Sequence, residues 1–181
     1  MSRLVVTFAA LLLALAPASS RAEQDEFTQL FAVTCMANIF SPDKLRDILS
    51  SELTPQLPPA RAAQFLQGNP GTAWEVFFGN GQYAVALTES DFCAVFARQA
   101  PVDTAREGFV QLVSSAPEPL QVRTVAPEQA GPNTADLTTT SYVWFRSGER
   151  LDIVFTLTTS RAAVDPPIQA MASVALVRPE P

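Results

Sequence analysis

The sequence predicts an α+β domain. It has an antiparallel β-sheet of about six or seven strands, with N-terminal helices and one inserted helix packed on one face, and one disulfide. Three observations predict this class. Helical periodicity comes first along the chain, alternating apolar strands follow it, and Gly79-Asn80-Gly81 separates two of those strands as a hairpin turn does. Strands joined by short turns are antiparallel neighbours.

Three helices are predicted ahead of the strands, at 27–40, from 41 to about 53, and at 58–68. The first has apolar residues at helical spacing, and Cys35 lies on their face. The second begins with Ser41 and Pro42, which suit the N-cap and the first helical position. Its inward side chains are expected to be Leu45, Ile48, Leu49 and Leu53. The inserted helix begins at Pro101 and ends before Pro117.

Seven strands are predicted, at 73–78, 83–88, 92–98, 120–125, 138–146, 150–159 and 169–177. The fourth has the weakest pattern, and the proline- and glycine-containing stretch 126–136 is predicted to be an exposed loop. In the sixth strand, Leu151, Ile153 and Phe155 alternate with more polar residues. One sheet face is therefore expected to pack under the helices, and the threonine-rich face to meet solvent or a ligand.

Residues 1–22 are predicted to be a secretory signal peptide, and residues 23–181 a single mature domain. The apolar run 4–15 follows a positive charge and is too short to span a bilayer. Small residues favour cleavage before Glu23, and 16–18 is an alternative cleavage site. No later run is long and apolar enough for a transmembrane helix. We therefore expect a periplasmic or secreted protein without an integral membrane segment.

The balance of charges is acidic. The chain has 18 acidic and 12 basic residues, and its net charge is −6. Two of the basic residues belong to the predicted signal peptide, so the mature domain is more acidic still. Such a domain is not expected to bind nucleic acid or anionic membrane surfaces. It suits a partner with a basic surface, such as an envelope protein.

Cys35 and Cys93 are the two cysteines of the chain. In an oxidising compartment the expectation for an isolated pair is one disulfide. Their spacing is unlike that of a Cys-x-x-Cys redox pair, and no histidine is present to activate a thiolate. If the bridge forms, Cys93 ties the third strand to the first helix.

The absence of histidine restricts the chemistry of the chain. It excludes Ser-His and Cys-His nucleophile pairs, imidazole metal ligands and imidazole bases. The sequence also lacks a P-loop, a dinucleotide-binding glycine motif and an EF-hand loop. We therefore expect no cofactor and no metal site, and we assign no catalytic residue.

Two arrangements keep a histidine-free hydrolase open as an alternative. Ser41 and Lys44 form the Ser-x-x-Lys motif of penicillin-binding enzymes, although Lys-Thr-Gly and Ser-Asp-Asn are missing. Carboxylate pairs can also supply an acid and a base for hydrolysis. The near pairs are Glu89 with Asp91 and Asp43 with Asp47. The simpler interpretation is a helix N-cap and solvated surface acids.

Aromatic side chains alternate along 141–145, so Tyr142 and Trp144 share one face of their strand. If that face is open, Thr138 and Thr140 lie beside them. The four side chains then form an aromatic platform flanked by hydroxyls, which suits a protein, peptide or sugar partner. The alternative is that the aromatic rings fill the core under the helices.

Several short stretches form a distinctive set: FAVTCM at 31–36, AW at 73–74, YAVAL at 83–87, CAVFAR at 93–98, SYVW at 141–144, FTLTTS at 155–160 and QAMAS at 169–173. Together they resemble a family of small exported proteins of Gram-negative bacteria that is uncharacterised in function. The resemblance covers nearly all of the mature chain. It implies a periplasmic location and paired cysteines, and no catalytic residues. Some relatives are lipoproteins, but this chain lacks the lipidation cysteine.

Three functional hypotheses follow from these patterns. The first is a non-enzymatic exported domain for binding, as an adaptor or an inhibitor, and it is supported by the missing catalytic residue types and the acidic surface. The second is a hydrolase that uses Ser41 and Lys44 or a carboxylate pair. The third is a structural subunit of an envelope assembly.

Overall fold

The computed structural model describes residues 25–162 and 168–178, so the predicted signal peptide lies outside the described residues. The helices are α1 (Glu26–Phe31), α2 (Pro42–Leu49), α3 (Pro59–Leu66), α4 (Val102–Val113) and α5 (Pro127–Ala130), and α1 continues into a π-helical segment at Ala32–Met36. The strands are β1 (Gly71–Phe78), β2 (Gly81–Thr88), β3 (Cys93–Ala97), β4 (Gln121–Thr124), β5 (Leu137–Phe145), β6 (Asp152–Ser160) and β7 (Ala170–Val177).

All seven strands belong to one antiparallel sheet in the order β1-β2-β3-β7-β6-β5-β4. Strands β1 to β3 form one meander and β4 to β6 form another. The last strand, β7, lies between β3 and β6 and joins the two meanders. The predicted class, an antiparallel α+β domain with one disulfide, is confirmed.

One face of the sheet carries the main core, and we call it the helical face. Its side chains follow the register across the strands: Trp74, Val85, Val95, Ala172 and Leu157 occupy successive paired positions. Buried residues of α1, α2 and α4 pack on this face, including Phe31, Leu45 and Phe109. The helical periodicity and the strand alternation therefore meet in a single apolar layer.

The disulfide joins the helical layer to the sheet. Cys35 lies in the π-helical segment and Cys93 is the first residue of β3, with their Cα atoms 5.4 Å apart. Both side chains are buried in the main core. The predicted pairing is confirmed, and so is the link between the first helical segment and the third strand.

Helix α3 lies on the opposite face of the sheet, which differs from the predicted single helical layer. The segment before it runs along the outer edge of β1, where Leu57 N–H donates to the Ala73 carbonyl and Glu75 N–H donates to the Pro55 carbonyl. The chain thereby crosses the sheet edge before α3 begins. Small strand residues beneath α3 allow close packing, and with Leu57, Phe96 and Ala62 of α3 they form a second core: Ala73, Ala84, Ala86 and Ala94.

Helix α2 is shorter than predicted. It ends at Leu49, whose carbonyl accepts a hydrogen bond from the Thr54 hydroxyl, and a turn follows. Because the helix does not continue, Leu53 is 85% exposed, and Ile48 is 52% exposed on the outer side of α2. The expectation that these two residues point inward is wrong, whereas Leu45 and Leu49 are buried as expected.

Two smaller differences concern the second half of the chain. Leu151 precedes β6 and is exposed, so the strand alternation begins at Asp152 and not one residue earlier. The predicted loop at 126–136 contains the single turn α5, which begins at Pro127. Among the helices of the described residues, none has the length and apolarity needed to cross a bilayer.

Removing the disulfide should destabilise the domain without changing the sheet. The bridge links residues 58 positions apart, and in the chain-entropy model a loop of this length contributes roughly 4 kcal/mol to the free energy of unfolding. Urea unfolding of the Cys35→Ala/Cys93→Ala variant should show a loss of this order. The wild-type protein in reductant should unfold like the variant. An unchanged unfolding midpoint in both would contradict this role of the bridge.

Candidate functional site

The opposite face of the sheet is rich in hydroxyls, as the sequence predicts, but they bond to one another. The Ser141 and Thr156 hydroxyls are 2.9 Å apart, and those of Thr139 and Thr158 are 3.2 Å apart. Asp152 on the same face is buried and pairs with Arg123 at 3.1 Å. These cross-strand pairs satisfy the polar groups of the face within the protein and leave few of them for a ligand.

The predicted aromatic platform lies on the helical face. Trp144 is 7% exposed, its ring packs edge-on against Phe155, and its indole N–H donates to the Val113 carbonyl at 2.7 Å. Tyr142 is half-buried, with its ring 6.5 Å from that of Phe109 in α4. Thr140 is half-buried and Thr138 exposed at the end of the same row. These contacts match the core-filling alternative for the two aromatic residues.

Replacing Trp144 with phenylalanine should cost about 2–3 kcal/mol of unfolding free energy, because it removes a buried hydrogen bond and leaves space beside Phe155. Trp74→Phe is the matched control, since that side chain is also buried in the core but forms no hydrogen bond with a described residue. Denaturant unfolding should show the larger loss for Trp144→Phe. Equal losses would mean that the indole bond contributes nothing.

The residues of the hydrolase alternative lie on the surface. Ser41 and Lys44 are both exposed at the start of α2, and no hydrogen bond joins their side chains. Asp43 pairs with Arg46 at 2.6 Å. The other acids are Asp47 and Glu89, which are exposed, and Asp91, which is half-buried in a turn. None of these groups lies in the cleft described below.

A wide cleft of about 730 Å³ opens at one end of the sheet, and we call it the polar cleft. Four chain segments meet there: the start of α1, the β1–β2 turn, the end of β3 and the start of α4. The side chains that line it include those of Asp25, Glu26, Gln82, Tyr83, Arg98, Gln99 and Thr104. The cleft therefore combines carboxylates, a guanidinium, a phenol, amides and a hydroxyl.

The carboxylate of Glu26 holds the β1–β2 turn. It accepts hydrogen bonds from the Asn80 backbone N–H at 3.0 and 3.1 Å. Gly79 has a φ of +57°, and a Cβ at this position would collide with that carboxylate. The left-handed backbone favours glycine here, and the Glu26 carboxylate would have to shift to make room for a Cβ. One wall of the cleft is fixed by this contact.

Tyr83 forms the floor between this wall and β3. It is 8% exposed and lies beside the carboxylate of Glu26. Burial raises the pKa of Tyr83 to about 12, and the negative charges of Glu26 and Asp25 add to the effect. The phenol is therefore a neutral donor at physiological pH and does not serve as a base.

Arg98 and Thr104 stand on the opposite wall. Both side chains are exposed to the cleft, and no described residue forms an ion pair or hydrogen bond with either of them. By contrast, Asp25 already accepts from Thr28, whose backbone N–H and hydroxyl lie 3.1 and 2.9 Å away. The wall with Arg98 is thus the one whose polar groups are free to meet a ligand.

The cleft combines a guanidinium and a hydroxyl that have no partner in the described part of the chain with carboxylates that are engaged within the protein. Among residues 25–162 and 168–178, no three acidic or cysteine side chains cluster closely enough to hold a metal ion. Both cysteines are in the disulfide. The cleft brings together donors and charges, but its phenol is held neutral and its carboxylates are engaged in local hydrogen bonds.

The sequence patterns did not predict this cleft. They placed Arg98 at a strand end and Asn80 in a turn, but gave no reason to join either one to residues 25 and 26. Pairing of Tyr83 with Ala97 across β2 and β3 brings Arg98 next to the turn, and that register could have been inferred from the predicted hairpins. The contact of Glu26 with the turn depends on how α1 crosses the sheet.

Comparison of the chain with family models, curated proteins and solved structures found no match.

The raised pKa of Tyr83 predicts a specific dependence of stability on pH. Because the folded state holds this proton more tightly than the unfolded state, the unfolding free energy should fall as the pH rises from about 10 to about 12. Tyr83→Phe should remove this part of the decrease, measured by urea unfolding across the range.

The Glu26→Gln variant tests how much the neighbouring charge contributes to the pKa of Tyr83. It removes a neighbouring charge, so the pKa of the phenol should fall but stay above 10.0, since burial is the larger cause. The pKa can be read from the ultraviolet difference spectrum between each protein and its Tyr83→Phe form. A wild-type value near 10 would contradict the buried contact.

Proposed function

We propose that this chain is an exported, non-enzymatic binding domain of the bacterial envelope, and that the polar cleft is its ligand site. The observation that carries the proposal is the unpaired guanidinium of Arg98 in a cleft whose other wall is held rigid by Glu26. A fixed wall and a free charged group are what a binding site needs to select a ligand without reorganising.

The location is part of the same proposal. The disulfide is consistent with export, because such bridges persist in oxidising compartments. The predicted signal peptide and the resemblance to exported Gram-negative proteins point to the periplasm. The acidic net charge of −6 further supports a narrower version, in which the surface around the cleft also contacts a basic region of an envelope protein.

A ligand panel read by amide chemical shifts tests the proposal. The exported protein, with its disulfide formed, is titrated with short organic acids, free amino acids, small saccharides and oligolysine. We expect at least one class to cause saturable shifts at cleft amides such as those of Gly81, Gln82 and Thr104. Oligolysine binding would favour the basic protein partner, and the other classes a small ligand.

A blocking variant and a matched control complete the test. Gln99→Trp places a bulky ring at the cleft wall and should weaken the binding at least about tenfold, whatever the ligand chemistry. Gln129→Trp adds the same ring at an exposed position of α5, away from the cleft, and should leave binding unchanged. Shifts that ignore Gln99→Trp, or no saturable shift with any class, would overturn the proposal.

A further inference from the structure

A second, smaller recess adjoins the polar cleft on the opposite face of the sheet, and we call it the apolar recess. Its volume is about 140 Å³, and its apolar lining comes from Leu57, Phe65, Ala84, Phe96 and Ile168. Phe65 of α3 and Phe96 of β3 pack with ring centroids 5.1 Å apart. Since a cavity of about 150 Å³ holds one benzene molecule, the recess is the size of a single phenyl or branched alkyl group.

The rim of the apolar recess is positively charged in an otherwise acidic protein. Arg61, Arg98 and Glu75 all border it. Glu75 is already engaged, because Arg61 lies 3.4 Å away and the Gln82 side-chain amide donates to the same carboxylate. This leaves the Arg98 guanidinium without a counter-charge among the described residues. An anion at the rim would complete the local charge balance.

Arg98 also connects the two spaces. It lines both the apolar recess and the polar cleft, together with Gln82 and Tyr83. A ligand that places an apolar group in the recess therefore meets the guanidinium at its polar end. Any longer part of that ligand continues into the larger cleft, where the walls are polar.

We propose that the apolar recess and Arg98 bind an apolar monocarboxylate, with its hydrocarbon group against Phe65 and Phe96 and its carboxylate on the guanidinium. This inference rests on the proposed function, because it assigns a ligand class to the same site. Two sources share the chemistry: a free organic acid, and the C-terminus of a peptide that ends in an apolar residue.

The surroundings favour a single negative charge. Guanidinium and carboxylate form a planar pair with two parallel hydrogen bonds, which one free arginine can supply. A phosphate dianion calls for more positive charge than one arginine provides. It would also lie near Glu75 on one side and near Asp25 and Glu26 across the cleft, which oppose it. The apolar floor contributes affinity only to ligands with a hydrocarbon group.

Calorimetric titration of the exported protein with three small probes tests the assignment. Phenylpropionate carries both groups, phenylpropionamide lacks the charge, and acetate lacks the ring. Phenylpropionate should bind about tenfold or more tightly than either of the others, since loss of a charge-assisted hydrogen bond or of ring burial costs at least that factor. Equal binding of the acid and its amide would overturn the proposal.

Variants identify the residues involved. Arg98→Gln should weaken phenylpropionate binding about tenfold or more and abolish its advantage over the amide, whereas Arg146→Gln, an exposed arginine paired with Glu149, should change neither. Ala84→Val fills the recess and should weaken binding of the acid. If that variant does not fold, Ile168→Ala removes one wall and should also weaken it. Affinity unchanged by Arg98→Gln would overturn the proposal.

A comparison of peptides distinguishes the two sources of the carboxylate. A glycine peptide ending in phenylalanine is compared with its C-terminally amidated form and with phenylpropionate. Tighter binding of the free peptide supports a peptide C-terminus, and binding of phenylpropionate alone supports a free acid. Suppose that only saccharides or oligolysine bind, and that Gln99→Trp weakens their binding. This inference then fails, while the proposed function stands. If nothing binds the cleft, both fail.

Discussion

The bridge between Cys35 and Cys93 joins the N-terminal helical layer to the middle of the sheet, and the position of the polar cleft depends on that junction. Helix α1 has six residues, too few to persist alone in water. Burial of Phe27 and Phe31 and the covalent link of the following π-helical segment keep it across β2 and β3. Only with α1 in that place does Glu26 reach the β1–β2 turn and build one wall of the cleft.

The π-helical segment brings Cys35 to the sheet at a cost in regular hydrogen bonding, and polar side chains offset that cost. The Thr34 hydroxyl donates to the Leu30 carbonyl at 2.6 Å, and the Asn38 side-chain amide donates to the Thr34 carbonyl at 2.7 Å. Both side chains are buried. A buried polar group that bonds the backbone of its own helix can stabilise a distorted turn. The hydrogen bonds that these two polar residues make to the backbone of their own helix explain how they are accommodated in the core.

Periodicity predicted most of the fold because the sheet has one thoroughly apolar face and its turns carry glycine or proline. Its predictions were wrong where contacts with other parts of the chain, and not the local pattern, decide where a helix ends or which face of the sheet a segment covers. Leu53 continues a helical pattern, yet the Thr54 side chain closes the preceding helix and leaves Leu53 in solvent. The prolines before α3 signal a break, but not that the chain crosses the edge of β1. For the site, alternation paired Tyr142 with Trp144 correctly and could not say which face the helices cover.

Arg98 has no ion pair among the described residues although carboxylates lie nearby, because the fold engages those carboxylates in other contacts. Glu26 holds the turn, Asp25 caps α1, and Glu75 bonds Arg61, so each is already engaged by the fold. These charges still repel anions at a distance, and the net charge of −6 does the same. Attraction at Arg98 therefore operates only at contact, where ion pairing and burial of a hydrocarbon group act together. A site of this kind rejects small inorganic anions, which bury nothing, and selects for the apolar part of its ligand.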